Sequence, residues 1–128
     1  MIIKYIGGDT FILLLKMCEA LPRLHVGVFF SSQKKFEEKK EDIAEHFENS
    51  FLEQNHVAHM AHLYHEIVVR FTNGSLIRIM VAKPSVRGFR YHVAACDTDI
   101  ESELMTYNIR PCGSLVYDQI RDEEIFAK

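Results

Sequence analysis

The chain has 128 residues, 48% of them hydrophobic and 26% charged, ordinary values for a folded domain and enough for one proper core. Its formal net charge of −3 excludes a chain-wide drive toward nucleic acid or acidic membrane, so any such site has to be a local patch. No stretch approaches the roughly 20 apolar residues of a membrane span. The apolar run Phe11 to Leu15 is too short for a secretory signal core. Three scattered cysteines, Cys18, Cys96 and Cys112, fit reduced thiols better than a disulfide framework. The expectation is a single soluble, cytoplasmic domain over residues 1–128 with no membrane partner.

Ile2 to Ile6 reads as a brief strand, broken by Gly7-Gly8. Asp9 or Thr10 is placed to cap a helix that runs to about Ala20. Phe11, Ile12, Leu13, Leu14, Leu15, Met17 and Leu21 cover most of its circumference, which predicts a largely buried helix. Pro22 ends it, and His25 to Phe30 is a second strand. Ser31-Ser32 opens a long helix from Gln33 to about Glu53, with Phe36, Ile43, Phe47 and Phe51 on one face. Lys34, Lys35, Glu37, Glu38, Lys39, Lys40 and Glu41 read as its solvated face, with no function assigned.

His56, His59, His62 and His65 then recur every third residue. On a helix they would spiral, so neighbours could share a metal but all four could not. Zinc wants three or four converging N/S ligands, and no metallohydrolase spacing is present. The preferred reading is a polar helix end or connection without metal; a zinc site and a pH-sensitive surface are the alternatives.

Ile67, Val69 and Phe71 alternate with Val68, Arg70 and Thr72, which is strand spacing. Asn73-Gly74 is a hairpin signal of the type I′ kind, with positive φ at both residues. Leu76, Ile77, Ile79, Met80 and Val81 make the return strand, and Pro84 stops it. The next loop carries Lys83, Arg87 and Arg90 with Phe89 and Tyr91 between them. Cations and aromatics together suit phosphates and unpaired bases. The preferred reading is structural: Arg87 or Arg90 pairs with Asp97, Asp99 or Glu101, and Phe89 pins the loop to the core. His92 to Cys96 is an apolar run of the kind buried on both faces, ending at Asp97. Asp99 to about Tyr107 reads as a helix capped by Asp99, Pro111-Cys112-Gly113 as a turn, and Ser114 to Ile120 as a strand or a helix. Alternating strands and helices argue for an α/β sheet, mostly parallel, with the hairpin adding antiparallel strands at one side.

The order Phe71-x-Asn73-Gly74-Ser75-x-Ile77, then Arg87-Gly88-x-Arg90, then Val93 to Asp97 resembles the ATPase domain of phage large terminase subunits, the DNA-packaging motors. The resemblance covers roughly residues 1 to 105. It implies a P-loop-NTPase-like sheet flanked by helices, a phage origin and a place in the host cytoplasm. Where the family carries its phosphate loop, this chain has Gly7-Gly8-Asp9-Thr10 and no lysine. Gly7, Gly8 and Thr10 are thus a vestigial nucleotide site, and Asp9 would repel phosphate. The family's acidic pair is replaced by Asp97-Thr98, and threonine cannot serve as a general base near neutral pH. Asp99 would point elsewhere if strand geometry persisted. The family's nuclease domain has no counterpart. A degenerate pseudo-ATPase without cofactor is expected, working by binding a protein first and nucleic acid through the 83–91 loop second. The alternatives are a subunit of a DNA-packaging machine, or a nucleotide- or metal-dependent enzyme using Asp97 with Mg²⁺ or Zn²⁺.

Overall fold

The structure is a computed structural model that describes residues 2–4, 6–54, 57–62, 65–84, 89–113 and 124–126. Strand β1 (Ile2–Lys4) leads into helix α1 (Gly8–Ala20). Strand β2 (His25–Phe30) leads into helix α2 (Gln33–Gln54). Strands β3 (Val57–His62), β4 (Glu66–Phe71) and β5 (Leu76–Val81) follow, then β6 (Val93–Cys96). A short helix α3 (Ser102–Leu104) continues through a wide turn at Met105–Ile109 and a 3₁₀ turn at Arg110–Cys112, and β7 (Glu124–Phe126) comes last.

The described strands form one mixed α/β sheet in the order β3-β4-β5-β2-β6-β1-β7. Pairing is parallel for β5–β2, β2–β6, β6–β1 and β1–β7, and antiparallel for β3–β4 and β4–β5. The expected class therefore holds: a mostly parallel sheet with the hairpin strands at one side. The β6 sequence Val-Ala-Ala-Cys is buried throughout, as a strand covered on both faces must be.

Two apolar layers flank the sheet. On one face Phe11, Leu14 and Cys18 of α1 and Phe36 and Ile43 of α2 pack over Val26, Val28, Ile67, Val69, Ile77 and Ile79. On the other, Phe89, Tyr91, Met105, Ile109 and Cys112 cover Phe29, Met80, Ala94 and Cys96. Gly27 makes the second layer fit. A Cβ there would lie 2.8 Å from the Phe29 ring and 3.0 Å from the Phe89 ring, closer than buried carbon atoms tolerate.

Several local expectations need correction. Helix α1 is capped by Gly7, and neither Asp9 nor Thr10 is the cap. It buries one stripe only: Ile12 and Leu13 are 42% and 36% exposed, because α2 and the sheet meet it on a single side. The hairpin turn is not type I′. Gly74 alone has positive φ, at +88°, and Asn73 does not. The Gly74 N–H donates to the Phe71 carbonyl, and the Phe71 N–H to the Ser75 carbonyl, a three-residue loop closed by one left-handed glycine. His59 and His62 lie in β3, paired with Arg70 and Ile67, rather than on a helix end or connection. The helix after Asp99 starts later, with Glu101 as its cap residue. His56, Arg87 and the segment 114–120 lie outside the described residues.

Candidate functional site at the strand ends

The carboxyl ends of β2 and β6 open into a cleft of about 240 Å³ lined by Ile6, Phe30, Lys35, Glu38, Lys39, Asp97, Thr98 and Asp99. Strand ends collect polar groups because side chains leave the packed layers there while the backbone still holds them rigid. Asp97 follows the last residue of β6 and is partly buried, with its side chain 11% exposed.

The contacts of Asp97 run to Ser31, Lys35 and Asp99. Its Oδ2 accepts the Ser31 hydroxyl at 2.7 Å and the Ser31 N–H at 3.2 Å. Its Oδ1 accepts the Asp99 N–H at 3.0 Å. Lys35, one turn into α2, donates to Oδ1 at 3.3 Å and also to the Asp99 carboxylate. Partial burial pushes the Asp97 carboxyl up. The Ser31 hydroxyl, the N–H groups of Asp99 and Ser31 and the Lys35 ammonium outweigh it, so the carboxyl sits below the ordinary aspartate value. Asp99, and then Asp97, hold the Lys35 ammonium above the ordinary lysine value against opposing desolvation.

Two expectations change here. The chain turns at Asp97-Thr98-Asp99 instead of continuing as strand, so Asp97 and Asp99 converge on one ammonium. The cation between them is Lys35; Arg87 lies outside the described residues. Sequence spacing assigns Lys35 to a solvated helix face. Its role is tertiary, 62 residues away from Asp97, and Ser31 was likewise visible only as a helix opener.

The arrangement does not fit Mg²⁺. That ion demands several oxygen donors at near-octahedral angles, and the Asp97 oxygens are committed to N–H, O–H and ammonium donors. Nor does the α1 entry fit a phosphate chain. The helix begins at Gly8, directly after Gly7. Thr10 is fully buried, and its hydroxyl accepts the Gly7 N–H at 3.4 Å. Among the described residues, no group of three or more His, Cys, Asp or Glu side chains is placed to hold a metal. Cys18, Cys96 and Cys112 are buried and form no disulfide. Burial, and then the charge of Glu19, pushes the Cys18 thiol far up, away from thiolate chemistry.

The basic loop is anchored as expected at its described end. Phe89 is buried beside Tyr91, with ring centroids 6.2 Å apart. The Tyr91 hydroxyl donates to the Ile109 carbonyl at 2.5 Å. Arg78, paired with Glu66, lies over the Phe89 ring at 4.7 Å, a cation–π contact. Lys83 and Arg90 are exposed. Among the described residues, no helix is long and apolar enough to cross a membrane.

Comparison of the chain with protein-family models, with curated proteins and with solved structures finds no match.

Proposed function

We propose that the chain is a terminase-like pseudo-ATPase of phage origin, a P-loop-like scaffold that acts in the host cytoplasm by binding a partner, in the first place a protein, rather than by turnover. The observation that carries the reading is the Lys35 ammonium seated on Asp97 and Asp99. A motor needs lone pairs for Mg²⁺ at that strand end, and here a side chain of the same molecule takes them. The abrupt start of α1 at Gly8 and the inward hydroxyl of Thr10 support the same conclusion from the other side of the cleft. The family part of the reading rests on the order of hairpin, basic loop and buried strand; it is an analogy of fold.

The test is a steady-state phosphate-release assay on the full chain with ATP, Mg²⁺ and double-stranded DNA. The expected result is release no faster than the buffer control. Turnover that disappears in Asp97→Asn, with the melting temperature retained, overturns the reading and restores an ATPase.

A further inference from the structure

Strands β2 and β6 are joined at both ends by the same device. At the entry of β6, His92 donates its N–H to the His25 carbonyl at 2.8 Å and accepts the His25 N–H on ring Nδ1 at 3.0 Å. At the exit, Asp97 donates its N–H to the Phe29 carbonyl at 3.0 Å and accepts the Ser31 N–H on Oδ2 at 3.2 Å. In each case a side chain, rather than the next residue of a strand, completes the ladder. Both acceptors are titratable, so each end of the joint depends on pH.

We propose that the β2–β6 pairing is an acid-opened clasp, released first at His92 and only later at Asp97. A ring nitrogen that accepts an N–H cannot carry a proton at the same time. Protonating His92 at Nδ1 therefore breaks the bond to His25 and turns two facing N–H groups against each other. The surroundings add to this. On β2 the facing group is His25, with ring centroids 5.8 Å apart at 89°. The turn whose Cys112 carbonyl accepts the neighbouring Tyr91 N–H carries Arg110, and Arg90 lies two residues back along the chain. Arg110 and Arg90 are cationic. Burial, and then the charge of His25, holds the His92 ring below the ordinary histidine value. Folding thus resists its protonation, and the resistance appears as strain on the joint once the pH falls through the histidine range.

The exit behaves differently. Ser31 donates to Asp97 through both its N–H and its hydroxyl, and Lys35 and the Asp99 N–H hold the same carboxylate. That end stays closed until the carboxylate itself protonates. Between the two ranges the molecule has β6 tied at its exit and frayed at its entry.

The test follows two amides of the full-length protein by NMR hydrogen exchange, each rate divided by its intrinsic rate. Between about pH 7.5 and 5.5, across the ordinary histidine titration, the His25 amide is expected to lose protection on the order of fivefold, the worth of one net hydrogen bond. The Ser31 amide keeps its protection over the same interval. In His92→Gln, whose side-chain oxygen accepts without titrating, the His25 amide no longer responds. Equal loss at His25 and Ser31, no loss at His25, or an undiminished response in His92→Gln overturns the proposal. If the variant does not fold, the wild-type comparison of the two amides decides alone.

Discussion

The side-chain amide of Asn73 donates to the Cys18 carbonyl at 2.7 Å, joining the tip of the β4–β5 hairpin to the last turn of α1 across 55 positions of sequence. The same Asn73 accepts the Ser75 N–H at 3.0 Å. Ser75, 1% exposed, donates to the Leu21 carbonyl at 2.6 Å and accepts the Leu24 N–H at 3.1 Å. The orphan carbonyls of a helix end and of the chain leaving it thus find their donors in a distant turn. Asn73→Ala and Ser75→Ala are each expected to cost about 1–3 kcal/mol, the penalty for stranding buried polar partners. Urea unfolding checks this. Because both residues serve one joint, the double variant should cost less than the sum of the two.

Gly27 supports a second stability prediction. Gly27→Ala puts a methyl against the Phe29 and Phe89 rings, and overpacking of this kind costs about 1–3 kcal/mol. Phe89→Ala vacates part of that space, so Gly27→Ala should be less damaging in the Phe89→Ala background than in wild type. Thermal melts of the four proteins in the cycle measure the difference. Equal costs in both backgrounds would mean that the rings do not set the constraint.

Acid should weaken the fold through Asp97. Its carboxyl is held below the ordinary aspartate value, so its contribution is present above that value and is lost as pH falls through the depressed folded-state value. Asp97→Asn keeps an oxygen for Ser31 but does not ionise, and its unfolding free energy should show a shallower fall at low pH. On the alkaline side the sign reverses. Lys35 is raised, so its contribution is present below the ordinary lysine value and fades as pH climbs through the raised one. Denaturant unfolding across a pH series reads both arms.

Zinc is not expected at stoichiometric level in the purified protein. His59 and His62 lie in β3 and not on a helix, where neighbours at this spacing could share a metal. Elemental analysis after dialysis tests this. About one zinc per chain, lost when His59 and His62 are replaced together, would install a metal site.

The 83–91 loop is expected to act structurally and not as a DNA contact. DNA titrated at two salt concentrations should bind negligibly at physiological salt, and Phe89→Ala should lower the melting temperature. Tight binding with a log–log salt slope of about −2 to −3, reduced by about one unit in Arg87→Ala, would make the loop a phosphate-binding element.

Strands β2 and β5 are legible in the sequence, because β2 is a nearly all-apolar run after the break at Pro22 and β5 is the return strand between the Asn73-Gly74 turn and Pro84. Strand β3 is not. Its histidines at every third position imitate a helical period, and only pairing with β4 makes the segment extended. The outward side of α1 misleads in the opposite way: Ile12 and Leu13 look like core and are exposed. Asp97 could be singled out as the end of a buried strand. Lys35 could not, since one lysine among the four from Lys34 to Lys40 carries no local mark, and only the crossing of α2 over the end of β6 selects it. The Asn73-Gly74 pair announces a turn, but its service to α1 depends on where that helix ends in space.

Lys35 also occupies the carboxylates that face the cleft. A free counter-ion exchanges with solvent, whereas this one is tethered and returns after every excursion. A ligand that needs the Asp97 and Asp99 oxygens therefore meets an incumbent whose local concentration never dilutes. Its apparent affinity is the intrinsic affinity scaled down by the fraction of time the lysine sits on those oxygens, a handicap added to the Ser31 and Asp99 donors that hold Asp97 as well.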